Sequence, residues 1–187
     1  MKLESCRSFK IKQVNLNNEW SIETREGIRI GGILENETDD GIELFIHRNS
    51  HEIVFALELD RSERNVINFL VPRGDMQDGA NGLTPVGHLT RQARLFKYGY
   101  AFHAPLDVNF GEIKESFIAR NVRICRYERE IAVIKKTIET IHAEMDSRLG
   151  RLDCIFVLGI AIAITILFPR LDATTKEIDS IPFILVS

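Results

Sequence analysis

Apolar and polar residues alternate with a period of two through most of residues 1–126, the pattern of strands with one buried face. Ile53, Phe55, Leu57 and Leu59 alternate cleanly, as do Tyr98, Tyr100 and Phe102, followed by Leu106, Val108 and Phe110. Shorter runs are Phe9–Ile11, Trp20–Ile22, Ile28–Ile30, Ile42–Ile46 and Val122–Ile124. Between them stand Asn17-Asn18, Glu26-Gly27, Asp39-Asp40-Gly41 and Asn49-Ser50. Such residues tolerate positive φ or bond their own backbone, so they predict turns. Many short strands with regular turns predict an antiparallel β-sandwich or barrel over 1–126. Residues 72–87 are rich in glycine, proline and aspartate and predict a long loop. Residues 88–97 fit either a basic strand or a short helix.

The period changes at Glu128. Ile131, Ile134, Ile138, Ile141 and Met145 recur at spacings of three and four, which predicts a helix over 127–151. The stripe suits a coiled-coil seam for a homo-oligomer, and it equally suits a helix packed on its own β domain. Isoleucine at both seam positions favours three or four strands over two. Cys154 to Phe168 then carries no charge. Its length, about 22 Å as a helix, falls short of the ~30 Å hydrocarbon core. Leu152 and Leu171, with Asp153 and Arg170 reaching outward, nearly close that gap. The expectation is a transmembrane helix over 152–170, with a buried core helix as the competing reading. The segment is apolar on every face, and the preceding domain offers no obvious surface to cover it. The tail, 171–187, is polar and then ends in Ile181-Pro182-Phe183-Ile184-Leu185-Val186, which reads as the start of another apolar segment or a short interfacial element. The expected architecture is therefore mainly β plus α: a sandwich or barrel, a long helical stalk, and a membrane span.

Charge and cysteines place this architecture. The net charge is −3, which gives no general attraction for nucleic acid. Cys6, Cys125 and Cys154 are odd in number and far apart, so they read as reduced thiols. The opening residues, MKLESCRSFKIK, contain no apolar leader. Lys135, Lys136, Arg148 and Arg151 precede the apolar segment, while Arg170 and Lys176 follow it. Together these predict a single-pass membrane protein with a cytoplasmic N-terminal domain.

Candidate chemistry is sparse. His47, His51, His88, His103 and His142 lack metal-ligand spacing. Asp75 and Asp78 lack the remainder of a calcium loop. No phosphate-binding glycine loop or nucleophile elbow is present. The expectation is no metal, no cofactor, no catalytic residue and no enzymatic activity. Arg91, Arg94 and Lys97 near aromatic residues read as a solvated strand face, not a base-stacking platform. Trp20, Tyr98 and Tyr100 are the candidate ligand-binding residues, because an aromatic face suits the CH face of a sugar. The competing reading makes them core.

The stretch Gly27–Leu34 (GIRIGGIL), the strand Ile53–Leu59, Asp60-Arg61 with Arg64-Asn65-Val66, and Tyr98-Gly99-Tyr100-Ala101-Phe102 occur in that order. The order resembles the small β-sandwich accessory modules of bacterial capsule and O-antigen glycosyltransferases. Gly-Gly stands where those modules have Gly-Trp, and Arg-Asn-Val where they have Arg-Asp-Val. The resemblance spans about 27–110 and implies a carbohydrate-related accessory role without catalysis. The expected function is thus a membrane-anchored scaffold, with lipid, further copies of itself, and polysaccharide or an envelope-synthesis protein as partners. The alternative is a structural or regulatory membrane protein whose β domain binds a protein partner and no carbohydrate.

Overall fold

In the computed structural model the strands close on themselves into one antiparallel barrel, and the apolar helix lies inside it. The structure describes residues 3–15, 19–63, 65–73, 82–94, 97–103, 112–116, 121–126, 128–137, 140–170 and 172. The strands are β1 (Ser8–Asn15), β2 (Glu19–Thr24), β3 (Arg29–Glu37), β4 (Gly41–Arg48), β5 (Ile53–Asp60), β6 (Val66–Pro72), β7 (Leu83–Arg94), β8 (Lys97–His103), β9 (Glu112–Ser116), β10 (Asn121–Arg126), β11 (Arg129–Lys136) and β12 (Thr140–Met145). Each pairs with its sequence neighbour, and β12 returns to pair with β1. Closure leaves no unpaired edge.

The period-two runs become strands because alternate residues face the lumen. Ile42, Leu44 and Ile46 on β4, with Phe55, Leu57 and Leu59 on β5, are all buried, while Glu43 and Glu58 between them face outward. Gly27 turns the chain between β2 and β3 at φ +86°, a conformation open to glycine at little cost. The turn of β4 into β5 uses His51 at φ +62°.

Several expectations are overturned. The architecture is a closed barrel, not a sandwich leading into a helical stalk. No coiled coil forms over 127–151: Arg129–Lys136 and Thr140–Met145 are the antiparallel hairpin β11–β12. Glu128, expected to begin the helix, instead adopts φ +62° between β10 and β11. Ala132, Ile134 and Lys136 face the lumen side opposite Met145, Ala143 and Ile141. The isoleucine stripe misled because the small inward alanines and the inward lysine hid this alternation. Ile131, Ile134 and Ile141 are buried and Met145 packs against the core, so they are not exposed as an oligomer seam. Ile138 lies outside the described residues. Of the expected loop over 72–87, Pro72 belongs to β6 and Leu83–Gly87 to β7; 74–81, with Asp75 and Asp78, lie outside the described residues, as do Leu106, Val108, Phe110 and 173–187.

The helix, α1 (Arg151–Arg170), is long and apolar enough to cross a membrane, and 78% of its apolar stretch is buried inside the protein. The geometry explains why. A barrel of eight strands fills with its own side chains, and wider barrels leave a lumen. This one has twelve strands, and an α-helix about 10–12 Å across occupies the space. The surface that seemed missing for an all-apolar helix is the concave inner wall. Phe69 of β6, Phe102 of β8 and Phe156 of α1 form an aromatic knot, with ring centroids at 4.9 Å for Phe69–Phe102 and for Phe102–Phe156. Each such side chain, taken from water, contributes about 1.5–3 kcal/mol.

Candidate functional site

The two ends of α1 are held by polar groups. At its start, Gly150 is the N-cap. Asp153 Oδ2 accepts from the Gly150 N–H at 3.2 Å, and Arg126 donates to Asp153 Oδ1 at 2.7 Å. The Arg7 guanidinium donates to Cys154 Sγ and to the Leu149 carbonyl. Burial raises the pKa of both Cys6 and Cys154, keeping them protonated. A groove also lies here, between Ile53, Val71 and Pro72 of the wall and Leu152 and Ile155 of α1, edged by Arg48, Glu52 and Arg151.

At its end, α1 changes register. Ala163–Leu167 is π-helical, and Thr165 Oγ1 donates back to the Ala161 carbonyl. Pro169 lacks the N–H that a continuing α-helix would offer the Thr165 carbonyl. Lys136 Nζ, at the end of β11, donates to that oxygen at 2.8 Å. Desolvation there lowers the Lys136 pKa, against the opposite pull of Glu115. Arg170 pairs with Glu35, whose side chain is 1% exposed. Burial raises the Glu35 pKa and Arg170 restrains the rise. Arg91 pairs with Asp172 at 3.0 Å and covers the Phe168 ring.

Beside this turn a pocket of about 570 Å³ opens at the barrel mouth. Lys12 and Gln13 line it from β1, Trp20 from β2, Lys136, Thr137, Thr140 and Ile141 from the β11–β12 hairpin, and Thr165 from α1. Gln13, Trp20 and Ile33 lie directly opposite one another across β1, β2 and β3, and Ile33 is fully buried. Trp20 therefore continues the lumen face to the rim. Its Nε1 is buried with no hydrogen-bond partner among the described residues.

Of the candidate aromatic residues, Tyr100 does not line the mouth with Trp20. Trp20 lines the mouth, but Tyr100 is turned inward and 8% exposed, packed on Phe168. Its hydroxyl donates to Glu115 Oε2 at 3.2 Å, and burial pushes its pKa well above the ordinary tyrosine value. Tyr98 belongs to β8, with its side chain outside the described part of the structure. Carbohydrate binding is not supported. His88 and His103 stack across β7 and β8 at 4.8 Å, and among the described residues no group of three or more His, Cys, Asp or Glu is placed to hold a metal. Sequence reasoning missed the pocket lysines and threonines. Lys136 inside an apolar run was the available signal: a charge on a lumen-facing position.

No protein-family model matches the sequence, and no curated protein does. Among solved structures the chain is similar to the X-ray structure of a protein from Arabidopsis thaliana, at 13% sequence identity with a TM-score of 0.53. The similarity covers 87% of this chain and 96% of that one. At that identity the likeness concerns the fold: the plant protein and this chain share the course of the backbone over most of their lengths.

Proposed function

We propose that the protein is a non-catalytic binding module whose site is the barrel mouth where α1 ends. The pocket between β1, β2, the β11–β12 hairpin and Thr165 carries this reading. Its volume falls within the roughly 300–1,000 Å³ of small-molecule sites. It combines an apolar wall, Trp20 and Ile141, with a few convergent polar groups. Binding is favoured over catalysis by the chemistry of those groups. Thr140 Oγ1 lies 3.1 Å from His142 Nε2, a hydroxyl beside an imidazole. Yet His142 faces Lys10, Lys12 and Lys135, and its pKa is lowered by desolvation first and then by these charges. A base for a hydroxyl nucleophile is strengthened by an orienting carboxylate; surrounding lysines weaken it. Trp20 is the one tryptophan of the chain, so intrinsic fluorescence reports on the mouth. Phenyl phosphate, phenylacetate and benzyl alcohol serve as probes. A saturable change in emission with at least one of them, lost in Ile141→Trp-blocked protein read by calorimetry, is the expected result. No saturable binding of any of the three removes the reading.

A second reading concerns the membrane, because α1 passes the length and composition test for a span. Single-pass anchoring with the N-terminal part in the cytosol requires α1 to leave the barrel. One helix does not fill the lumen and cross a bilayer at once. Departure would give up the Arg126–Asp153 and Arg170–Glu35 pairs and expose Ile11, Ile22, Ile33 and Leu57 to water. Carbonate extraction of membranes from expressing cells separates the states. With α1 in the barrel the protein is released; retention with α1 protected from protease supports the anchored form.

A further inference from the structure

We propose that the mouth pocket and the outer face beside it form one site for a soluble phosphate ester with a flat apolar body. The phosphate would lie against Lys12 and Lys136, drawn in by Lys10 and Lys135, and the body against Trp20 and Ile141. This rests on the mouth being the binding site. It adds what the site selects.

The observation is an arrangement of like charges that the fold alone does not require. On the outer face, Lys10 of β1 lies directly opposite His142 of β12, and His142 directly opposite Lys135 of β11. Directly opposite residues have Cβ atoms about 4.5–5.5 Å apart, so a proton taken up by His142 would stand between two lysines, and like charges there are destabilising. One step along, Lys12 lies opposite Thr140 and Lys136 reaches the Thr165 carbonyl. Lys12, Thr140 and Lys136 all line the pocket, so the basic face runs into it. Among the described residues the carboxylates nearby are Glu23, which pairs with Lys12 at 2.9 Å and faces Lys10, Glu144, and Glu115 near Lys136. They leave the lysines only partly compensated on a chain that is acidic overall. Lys136 uses one of its three N–H donors on Thr165, so others remain for an anion. The Thr137 and Thr140 hydroxyls, 2.7 Å apart, are bonded to each other, to the Thr140 carbonyl and to His142, so they shape the rim and leave the donating to the lysines. A phosphate offers the acceptor oxygens these groups lack.

His142 makes the proposal testable by a readout that nonspecific adsorption does not move. It sits between Lys10 and Lys135, with Lys12 and Glu144 as its other charged neighbours. A phosphate bound there offsets the lysines, so the His142 midpoint rises and the affinity increases toward lower pH by the same factor. The experiment titrates the full chain with phenyl phosphate, inorganic phosphate and benzyl alcohol, following Trp20 emission and the His142 ring by NMR. Phenyl phosphate is expected to change both signals at one affinity, at least tenfold tighter than benzyl alcohol. Lys136→Met and the double variant Lys10→Gln/Lys135→Gln should each weaken it about tenfold while leaving the melting curve cooperative. Equal affinity for phenyl phosphate and benzyl alcohol overturns the phosphate assignment and leaves the binding site standing. Binding of neither overturns the phosphate assignment, and absence of phenylacetate binding as well overturns both. Inorganic phosphate moving His142 as strongly as phenyl phosphate, with Trp20 silent, overturns the composite site. Attachment to phosphatidylcholine vesicles containing phosphatidate that phenyl phosphate does not displace overturns the soluble-ester assignment.

Discussion

The middle of α1 and its last turn are built from different interactions, and the contrast separates what stabilises the protein from what equips it to bind. In the middle, Ile160, Ala161, Ile162 and Ala163 have no exposed surface, and Gly159 lets the Phe69 ring lie directly on the helix. Contacts of this kind are strong in sum but nearly directionless. They would tolerate a helix shifted along its axis. The last turn supplies direction: Lys136 on the Thr165 carbonyl, Arg170 with Glu35, and Arg91 with Asp172 fix where α1 stops. Those polar contacts also keep a lysine ammonium at the mouth, where a ligand finds it.

Placing a charge in the middle tests the contrast most severely. Ile160→Asp would put a carboxylate in the lumen with no cation facing it among the described residues. The cost is several kcal/mol, enough to remove a marginally stable fold. The expected outcome is loss of cooperative melting. Phe69→Ala removes the ring shared by Phe102 and Phe156 and should cost about 3–5 kcal/mol, measured by urea denaturation. Gly159→Ala sharpens the point from the other side. A Cβ there would come within 2.3 Å of Phe69 Cε1, so the ring must shift, at about 1–3 kcal/mol. If Gly159→Ala is neutral, the ring is loosely held and the knot is not central.

The starting end of α1 should respond less. Asp153→Asn keeps the shape but removes the charge that Arg126 and the Gly150 N–H share. Both side chains of the ion pair are partly exposed, so solvent screens it, and about 1 kcal/mol is expected. A loss as large as that of Phe69→Ala would show that the ends, not the middle, hold the helix in place.

Much of the barrel wall was legible because inward Ile, Leu and Phe recur at every second position, as in Ile42–Ile46 and Ile53–Leu59. Turns with Glu26-Gly27 and Asp39-Asp40-Gly41 were legible for the same local reasons. Strand β6 was not, since Val66, Ile67, Phe69, Leu70 and Val71 are nearly continuous and hide a period of two. The β11–β12 hairpin was not, because Ala132, Ala143 and an inward Lys136 weaken its alternation while isoleucines three and four apart mimic a helix. The destination of α1 was the deepest ambiguity. A helix apolar all round is compatible with lipid or with a protein interior, and local pattern does not say whether the preceding strands close into a ring wide enough to receive it. The site was illegible for a related reason: Trp20, Lys136 and Thr165 are brought together only by closure of β12 onto β1.

The smallest expected effect lies on the outside of the barrel, in its response to acid. The pKa of His88 is lowered from 6.5, chiefly by desolvation and then by His103 stacked beside it, with Glu63 acting the other way. The pKa of His142 is lowered from 6.5 by desolvation, then by Lys10, with Glu144 opposing. A histidine whose folded pKa is depressed binds its proton later in the folded state than in the unfolded one. Its contribution to stability is therefore whole above about pH 6.5 and is lost as the pH falls through the lower folded pKa. Glu35 has the opposite sign. Its folded pKa is raised, so the folded state takes up that proton first, and acidification through its folded pKa adds stability. Urea midpoints measured at pH 7.5 and 5.5 should fall for the unmodified protein. The double variant His88→Gln/His142→Gln should instead be flatter over that interval. An unchanged slope in the double variant would place the acid response elsewhere, with the carboxylates of the lumen rim as the next groups to substitute.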